Sequence, residues 1–271
     1  MSAAVAAFLA RVLAGKGERI NKTMNSVLVY HTISSPREPL LADIDISPER
    51  FDRQLRWLAR WRRVVPLTET LKPNRREVRV AISFDDGYRD NLTVALPMLE
   101  KYSLPATIFV SAGFIGDEGY ISRDELGDLS RHPLITIGAH GLWHRHFNRL
   151  PTEEVRFELS EARSVLEGIT GRKIDLMSWP YGECDQRLEE LSAECGYRAS
   201  WSVWKGNNSA HSRWRVPLGR RDNLPRFALK ALGFYAMTEA RLHRLCESRA
   251  RKSDRQQTAQ FDPAALDLRV R

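Results

Sequence analysis

Short apolar runs rich in β-branched and aromatic residues alternate with amphipathic stretches of helical period along most of the chain. No other feature restricts the fold as much. Ser26–Tyr30 (SVLVY), Val64–Leu67, Val80–Phe84 (VAISF), Ala106–Val110 (ATIFV), Leu134–Gly138 (LITIG), Ile174–Trp179, Arg198–Trp204 and Arg215–Leu218 read as strands. Helices are expected between them over Pro48–Trp61, Asp90–Lys101, Arg123–Arg131, Thr152–Gly168, Asp185–Cys195 and Phe227–Glu247. Ser47 stands as an N-cap before Pro48, and Thr152 as the capping residue of its helix. Strands that alternate with helices are parallel, in a barrel or an open doubly wound sheet.

Parallel strands place their carboxyl ends on one face, so the residues just past each apolar run gather there. His31, Asp85–Asp86, His140 and Pro180–Tyr181 each stand just beyond a different strand and therefore converge, as catalytic groups do. Asp85 and Asp86 end the run of Val80–Phe84 and precede Gly87; neighbouring carboxylates there can divide cation binding from substrate chemistry. Turn opening and helix capping is the competing role. His140 and His144 are four apart, a spacing that aims two imidazoles at one metal ion, and an aspartate from another strand end completes a two-His, one-carboxylate set. His146 is an alternative ligand. His132, His211 and His243 lie in turns or among polar residues.

The length of 271 residues suits one large α/β domain at 25–248, with a helical extension at 1–24 and a basic tail at 249–271. The net charge of +8 favours an anionic environment. The basic residues are scattered and no nucleic-acid motif is evident, so nucleic acid is not an expected partner. Three widely spaced cysteines fit neither a disulfide framework nor a zinc site, as in a reducing compartment. The N-terminal apolar run is broken by Arg11 and too short to span a bilayer. The expectation is a cytoplasmic protein, with the N-terminal stretch as an amphipathic helix on the domain or on the inner face of the membrane. The oligomeric state is left open.

Taken in order, Asp85–Asp86–Gly87, His140-x-x-x-His144 and Pro180-Tyr181-Gly182 resemble the motifs of the polysaccharide deacetylase family (NodB-homology, carbohydrate esterase 4). Tyr30–His31 and the helix from Pro48 resemble its exopolysaccharide poly-N-acetylglucosamine deacetylase branch, and the likeness runs from about Ser26 to Asp222. The resemblance implies a distorted, incomplete (β/α)7-type barrel and metal-dependent removal of an acyl group from an amino sugar in a polysaccharide, oligosaccharide or glycolipid. It implies Asp85 as general base and Asp86, His140 and His144 as ligands of a divalent ion, zinc first, with cobalt or nickel as alternatives. Tyr181 would give a backbone N–H to the oxyanion, in a turn set by Pro180. Trp143 and Trp179 are candidates to stack on a sugar, with core packing as the competing role. The substrate would be an N-acetylated glycan or lipid-linked saccharide.

Two departures stand out. Ser178 occupies the position where the family often has an Arg that orients the aspartate; Arg220, Arg221 or Asp222 are candidates to replace it. No Leu-x-x-His motif is evident near Leu229–Phe234, which leaves His31 as the candidate proton donor, or else a structural histidine. Hydrolysis of another C–N bond, by a deformylase or cyclic amide hydrolase, shares the same site. A silent glycan-binding module of the same fold is the reading from another class.

Overall fold

In a computed structural model, which describes residues 25–34, 43–72, 79–203 and 209–233, every strand pairing is parallel. The strands are β1 (Ser26–Tyr30), β2 (Arg63–Val64), β3 (Arg79–Phe84), β4 (Ala106–Val110), β5 (Ile135–Ala139), β6 (Leu176–Ser178), β7 (Ala199–Val203) and β8 (Arg213–Pro217). Neighbours run β1-β8-β7-β6-β5-β4-β3, and β1 pairs again with β3 from Ser26↔Val80 to Tyr30↔Phe84. That closes a seven-stranded barrel. β2 lies outside the ring, paired with the first residues of β3. The seam between β5 and β6 rests on a single pair, Ala139↔Met177, which is where the barrel is distorted.

Strand side chains alternate between two layers. One parity, including Leu28, Tyr30, Ile82, Phe84 and Ile108, packs outward in the main core with the helices. The other fills the barrel with Val27, Ala81, Phe109, Leu176, Ala199 and Trp201. The rings of Phe109 and Trp201 lie 5.8 Å apart within it. Gly138 is required beside them, because a Cβ there would come within 2.5 Å of Phe109 Cδ1.

The surrounding helices are α1 (Pro48–Trp61), α2 (Leu96–Tyr102), α3 (Arg123–Leu129), α4 (Thr152–Thr170), α5 (Gln186–Glu194) and α6 (Leu224–Ala231). α1 buries Phe51, Leu55 and Leu58, as its period predicts. The expected helix at Asp90–Lys101 divides instead into a π-helical turn at Asn91–Ala95 and α2. Pro97 has no N–H for the carbonyl four residues back, and the Leu96 N–H reaches Asn91 O. The run at Val64–Leu67 stops as a strand at Val64; Pro66 breaks it and a 3-10 turn follows at Leu67–Leu71. Ser47 stands at the N-cap but makes no capping bond, and Pro151, not Thr152, precedes α4. α6 starts before the expected Phe227, where the Asn223 side chain accepts the Arg226 N–H. The 1–24 extension, the helix beyond 233, His243 and the tail lie outside the described residues. Among the described residues no helix is long and apolar enough to cross a membrane.

Candidate active site

Asp85 continues the inward parity of β3, two residues past Ser83, so its carboxylate sits at the barrel mouth, 3% exposed. Asp86 then adopts φ +72 and Gly87 φ +84, and this left-handed pair turns the chain sharply. The turn separates the adjacent carboxylates. Asp85 faces the barrel interior, whereas Asp86 faces the ends of β5.

Arg215 of β8 rises through the barrel beneath Asp85. Its Nη1 donates to Asp85 Oδ1 and its Nη2 to Oδ2, both at 2.7 Å. Nη2 also donates to Ser178 Oγ at 2.5 Å, and Ser178 Oγ is 3.3 Å from each Asp85 oxygen. The guanidinium lies 5.3 Å from the centre of the Phe109 ring. This two-pronged pair is fully buried. Burial pushes the Asp85 carboxyl up, but the Arg215 charge, the His140 charge and the Arg215 hydrogen bonds outweigh it. Asp85 is held below the usual carboxylate range.

His140 follows β5, its N–H bonded to Val110 O and its ring buried. Nδ1–H donates to Ser178 O at 2.8 Å, which turns Nε2 toward Asp86 Oδ1 at 3.4 Å. His144 reaches the same oxygen with Nε2 at 3.2 Å, from a backbone at φ +48. Burial and the neighbouring His140 lower the His144 pKa to about 4, so it is a neutral imidazole near pH 7. Both carboxylates raise the pKa of His140 against its burial, a demand for positive charge at this point.

One atom each of Asp86, His140 and His144 lie within 4.8 Å of one another. Asp86 Oδ1 is buried and has no hydrogen-bond partner among the described residues. Arg215 balances only one of the two carboxylates. A buried carboxylate and two imidazole nitrogens that converge on one point form a donor set that fits a divalent cation of the first transition row. The bond from His140 Nδ1 to a carbonyl is the outer-shell support such a ligand requires.

Aromatic rings surround the cluster. Tyr181 (φ +57) is half exposed, with its ring 4.6 Å from His144 and stacked on His146 at 3.7 Å. On the other side Tyr88, whose hydroxyl pKa is raised by burial and by the Asp86 charge, stacks on Tyr120 at 5.0 Å. Phe114 links Tyr120 to Trp143, and Trp143 is also half exposed.

A family model described as polysaccharide deacetylase matches residues 72–200. That stretch is a polysaccharide deacetylase domain. Among curated relatives, YxkH of Bacillus subtilis, named as a polysaccharide deacetylase, is 27% identical over 180 residues, 64% of this chain and 62% of that protein. The chitooligosaccharide deacetylase of Azorhizobium caulinodans is 32% identical over 127 residues, 46% of this chain and 58% of that one. The chain thus spans less than two thirds of either. Among solved structures, IcaB from Ammonifex degensii superposes with a TM-score of 0.65 at 22% identity, covering 78% of this chain and 98% of that one. It shares the barrel fold.

Within the polysaccharide deacetylase domain lie Asp85, Asp86, His140, His144, Pro180 and Tyr181, all brought to one mouth of the barrel. His31 lies outside the matched stretch yet belongs to the same mouth: it is one rung beyond the Tyr30↔Phe84 pair, beside Asp85, and its charge bears on Asp85, Asp86 and His144. Its Nδ1 is buried without a hydrogen-bond partner among the described residues. His146 does not join the triad; its Nδ1 pairs with Glu183 Oε2 at 3.1 Å. Trp179 is not at the mouth. It is fully buried beside Phe147, with Nε1 donating to His211 O at 2.8 Å, because its parity faces the helices.

The arginine that meets Asp85 is Arg215, not Arg220 or Arg221. Arg220 takes part through its main chain, at Asp43 and Arg50, and Arg221 faces Asp43 at an exposed 3.8 Å. Asp222 caps Gly219 N–H and pairs with Lys230 at 2.8 Å, a brace between β8 and α6. The available signal for Arg215 was an arginine inside a strand, at inward parity with Arg213 and Pro217.

Proposed function

We propose that the protein is a metal-dependent hydrolase that removes an N-acetyl group from an amino sugar in a glycan. The reading rests on one observation: Asp86, His140 and His144 converge beside an Asp85 that Arg215 keeps ionised, within a polysaccharide deacetylase domain. The chitooligosaccharide deacetylase among its relatives supports an N-acetylated sugar as substrate, and the charge of +8 supports an acidic or lipid-diphosphate-linked glycan.

Asp86, His140 Nε2 and His144 Nε2 would hold the ion, zinc by preference of the donor set. A bound divalent ion supplies Lewis-acid polarisation of the acyl carbonyl and acidifies water. Asp85 then takes the proton of the attacking water; Oδ2 is its oxygen nearest the triad, 3.9 Å from His140 Nε2. Arg215 and Ser178 hold that carboxylate deprotonated and fixed in angle. The Tyr181 main-chain N–H, in the turn that starts at Pro180, stabilises the oxyanion. His31 protonates the departing amine, a role its unpartnered Nδ1 supports. Trp143 offers an exposed ring for a sugar face. Arg215 answers one of the two departures behind the reading as a silent binding module, since the arginine absent at Ser178 is supplied from β8; the missing Leu-x-x-His motif is the other.

Acetate release from N-acetylglucosamine oligomers, measured together with zinc content, tests the reading. Replacing Asp86, His140 or His144 by Ala should remove zinc and activity together, whereas Asp85→Asn should keep zinc and lose turnover by about 10²–10⁴-fold. Stoichiometric zinc in all three alanine variants would sink the ligand assignment.

A further inference from the structure

Glu158 stands on the apolar face of α4, in line with Val155, Leu159, Ala162 and Leu166, yet it is a carboxylate 1% exposed. Its Oε2 accepts the Leu142 N–H and the Trp143 N–H, each at 2.9 Å. Those two residues are the middle of the loop that joins His140 to His144. The loop has left-handed backbone at Gly141 (φ +76) and again at His144 (φ +48). Its carbonyls are held from the opposite side, Gly141 O by Ala112 N–H at 3.1 Å and Leu142 O by Gly113 N–H at 2.8 Å. The β4 loop thus takes the acceptors of this segment and Glu158 takes the donors.

We infer that Glu158 is a positioning residue: its single oxygen, by accepting two consecutive N–H groups, sets the loop and so the direction from which His144 meets Asp86. A side chain at this place must be an acceptor of glutamate length. Without one, two inward N–H groups lose their partner, and the loop escapes the left-handed turn at His144 by refolding toward water. The triad would then lose its third member although no ligand had been altered. Arg145 Nη1 lies 3.9 Å from Oε1 and pairs more closely with Glu154 at 2.8 Å, so the two backbone N–H groups at 2.9 Å are the nearer partners of the Glu158 carboxylate.

The inference rests on the reading of Asp86, His140 and His144 as a cation site, and amide exchange examines it apart from that reading. In the metal-free protein, exchange at Leu142 and Trp143 is followed by NMR for wild type, Glu158→Gln, Glu158→Asp and Glu158→Met, and zinc affinity by calorimetric titration. Glu158→Gln keeps an oxygen at the same reach and should hold exchange and zinc affinity within about threefold of wild type, whereas Glu158→Met should lose zinc affinity by about 10–100-fold. Glu158→Asp falls one methylene short and should behave like Met; it decides the matter if the Met variant does not fold. His144→Ala should abolish zinc binding and leave both amides protected, since the dependence runs from Glu158 to His144.

The inference is overturned if Glu158→Met or Glu158→Asp binds zinc as wild type does, or if Glu158→Gln loses as much as they do. Should wild type take up no zinc, the cation reading falls by itself. The exchange pattern then still decides: protection in wild type and Gln but not in Asp or Met upholds the role of Glu158, and equal protection in all four ends it.

Discussion

Replacing Arg215 by Met keeps the volume of the side chain in the barrel and removes its charge and both prongs of its contact with Asp85. Asp85 is left buried at 3% exposure with Ser178 as its remaining close donor. Removing one partner of a buried ion pair costs about 3–5 kcal/mol. At about 2–4 °C per kcal/mol for a domain of this size, the thermal midpoint should fall by roughly 6–20 °C. The sign of the pH effect comes from the same contacts. Asp85 is depressed in the folded protein, so the pair stabilises above the ordinary carboxylate pKa, and that stability is lost as pH falls through the depressed value. In Arg215→Met the strongest lowering influence is gone and burial prevails, so the acid limb of the acetate-release profile should move to higher pH. A double-mutant cycle with Asp85→Asn isolates the pair, with a coupling of about 2 kcal/mol or more expected for neighbours of this kind. A midpoint within about 2 °C of wild type, together with an unmoved acid limb, would refute the assignment of Arg215 as the residue that keeps Asp85 ionised.

The site carries two further expected outcomes. Chelation of the bound metal should lower the thermal midpoint, and zinc at about 100 times its dissociation constant should return roughly 2.7 kcal/mol, read by thermal melts across zinc concentration; a midpoint indifferent to zinc argues against a cation at Asp86, His140 and His144. The two tryptophans should separate: Trp179→Phe leaves His211 O with the weaker Cys184 Sγ donor at 3.6 Å and should cost about 1 kcal/mol with KM unchanged, while the half-exposed Trp143→Ala should raise KM for oligosaccharides and move stability by no more than about 0.5 kcal/mol. A KM effect from Trp179 and none from Trp143 would reverse those assignments.

Local pattern was sufficient for the strands, and therefore for the convergence of His31, Asp85, Asp86, His140 and Tyr181. Period-two alternation, a polar residue just past each apolar run and parallel strands place all of these at one mouth whatever the details of packing. The spacing of His140 and His144 is likewise a property of five consecutive residues. The breaks at Pro66 and Pro97 are local, whereas the features of the site that pattern could not place each depended on a partner distant in sequence. Trp143 and Trp179 are alike in sequence as aromatics beside the site motifs; Trp143, in the His140–His144 loop, is half exposed, whereas the parity of β6 sends Trp179 toward the helices, fully buried. Glu158 on an apolar helix face is an anomaly of the sequence, but its purpose is set by the loop that α4 packs against.

Arg215 shows the division most clearly. It is 130 residues from Asp85, and one rung below the Leu28↔Val216 pair it stands level with Val27 and Ala81, two inward positions beneath Asp85. Its long side chain covers that height. The sequence alone determined which residues reach the barrel mouth, because that comes from the period of each strand. Which cation stands under which carboxylate was decided only by the stagger between strands when the ring closed, a quantity that no single strand carries.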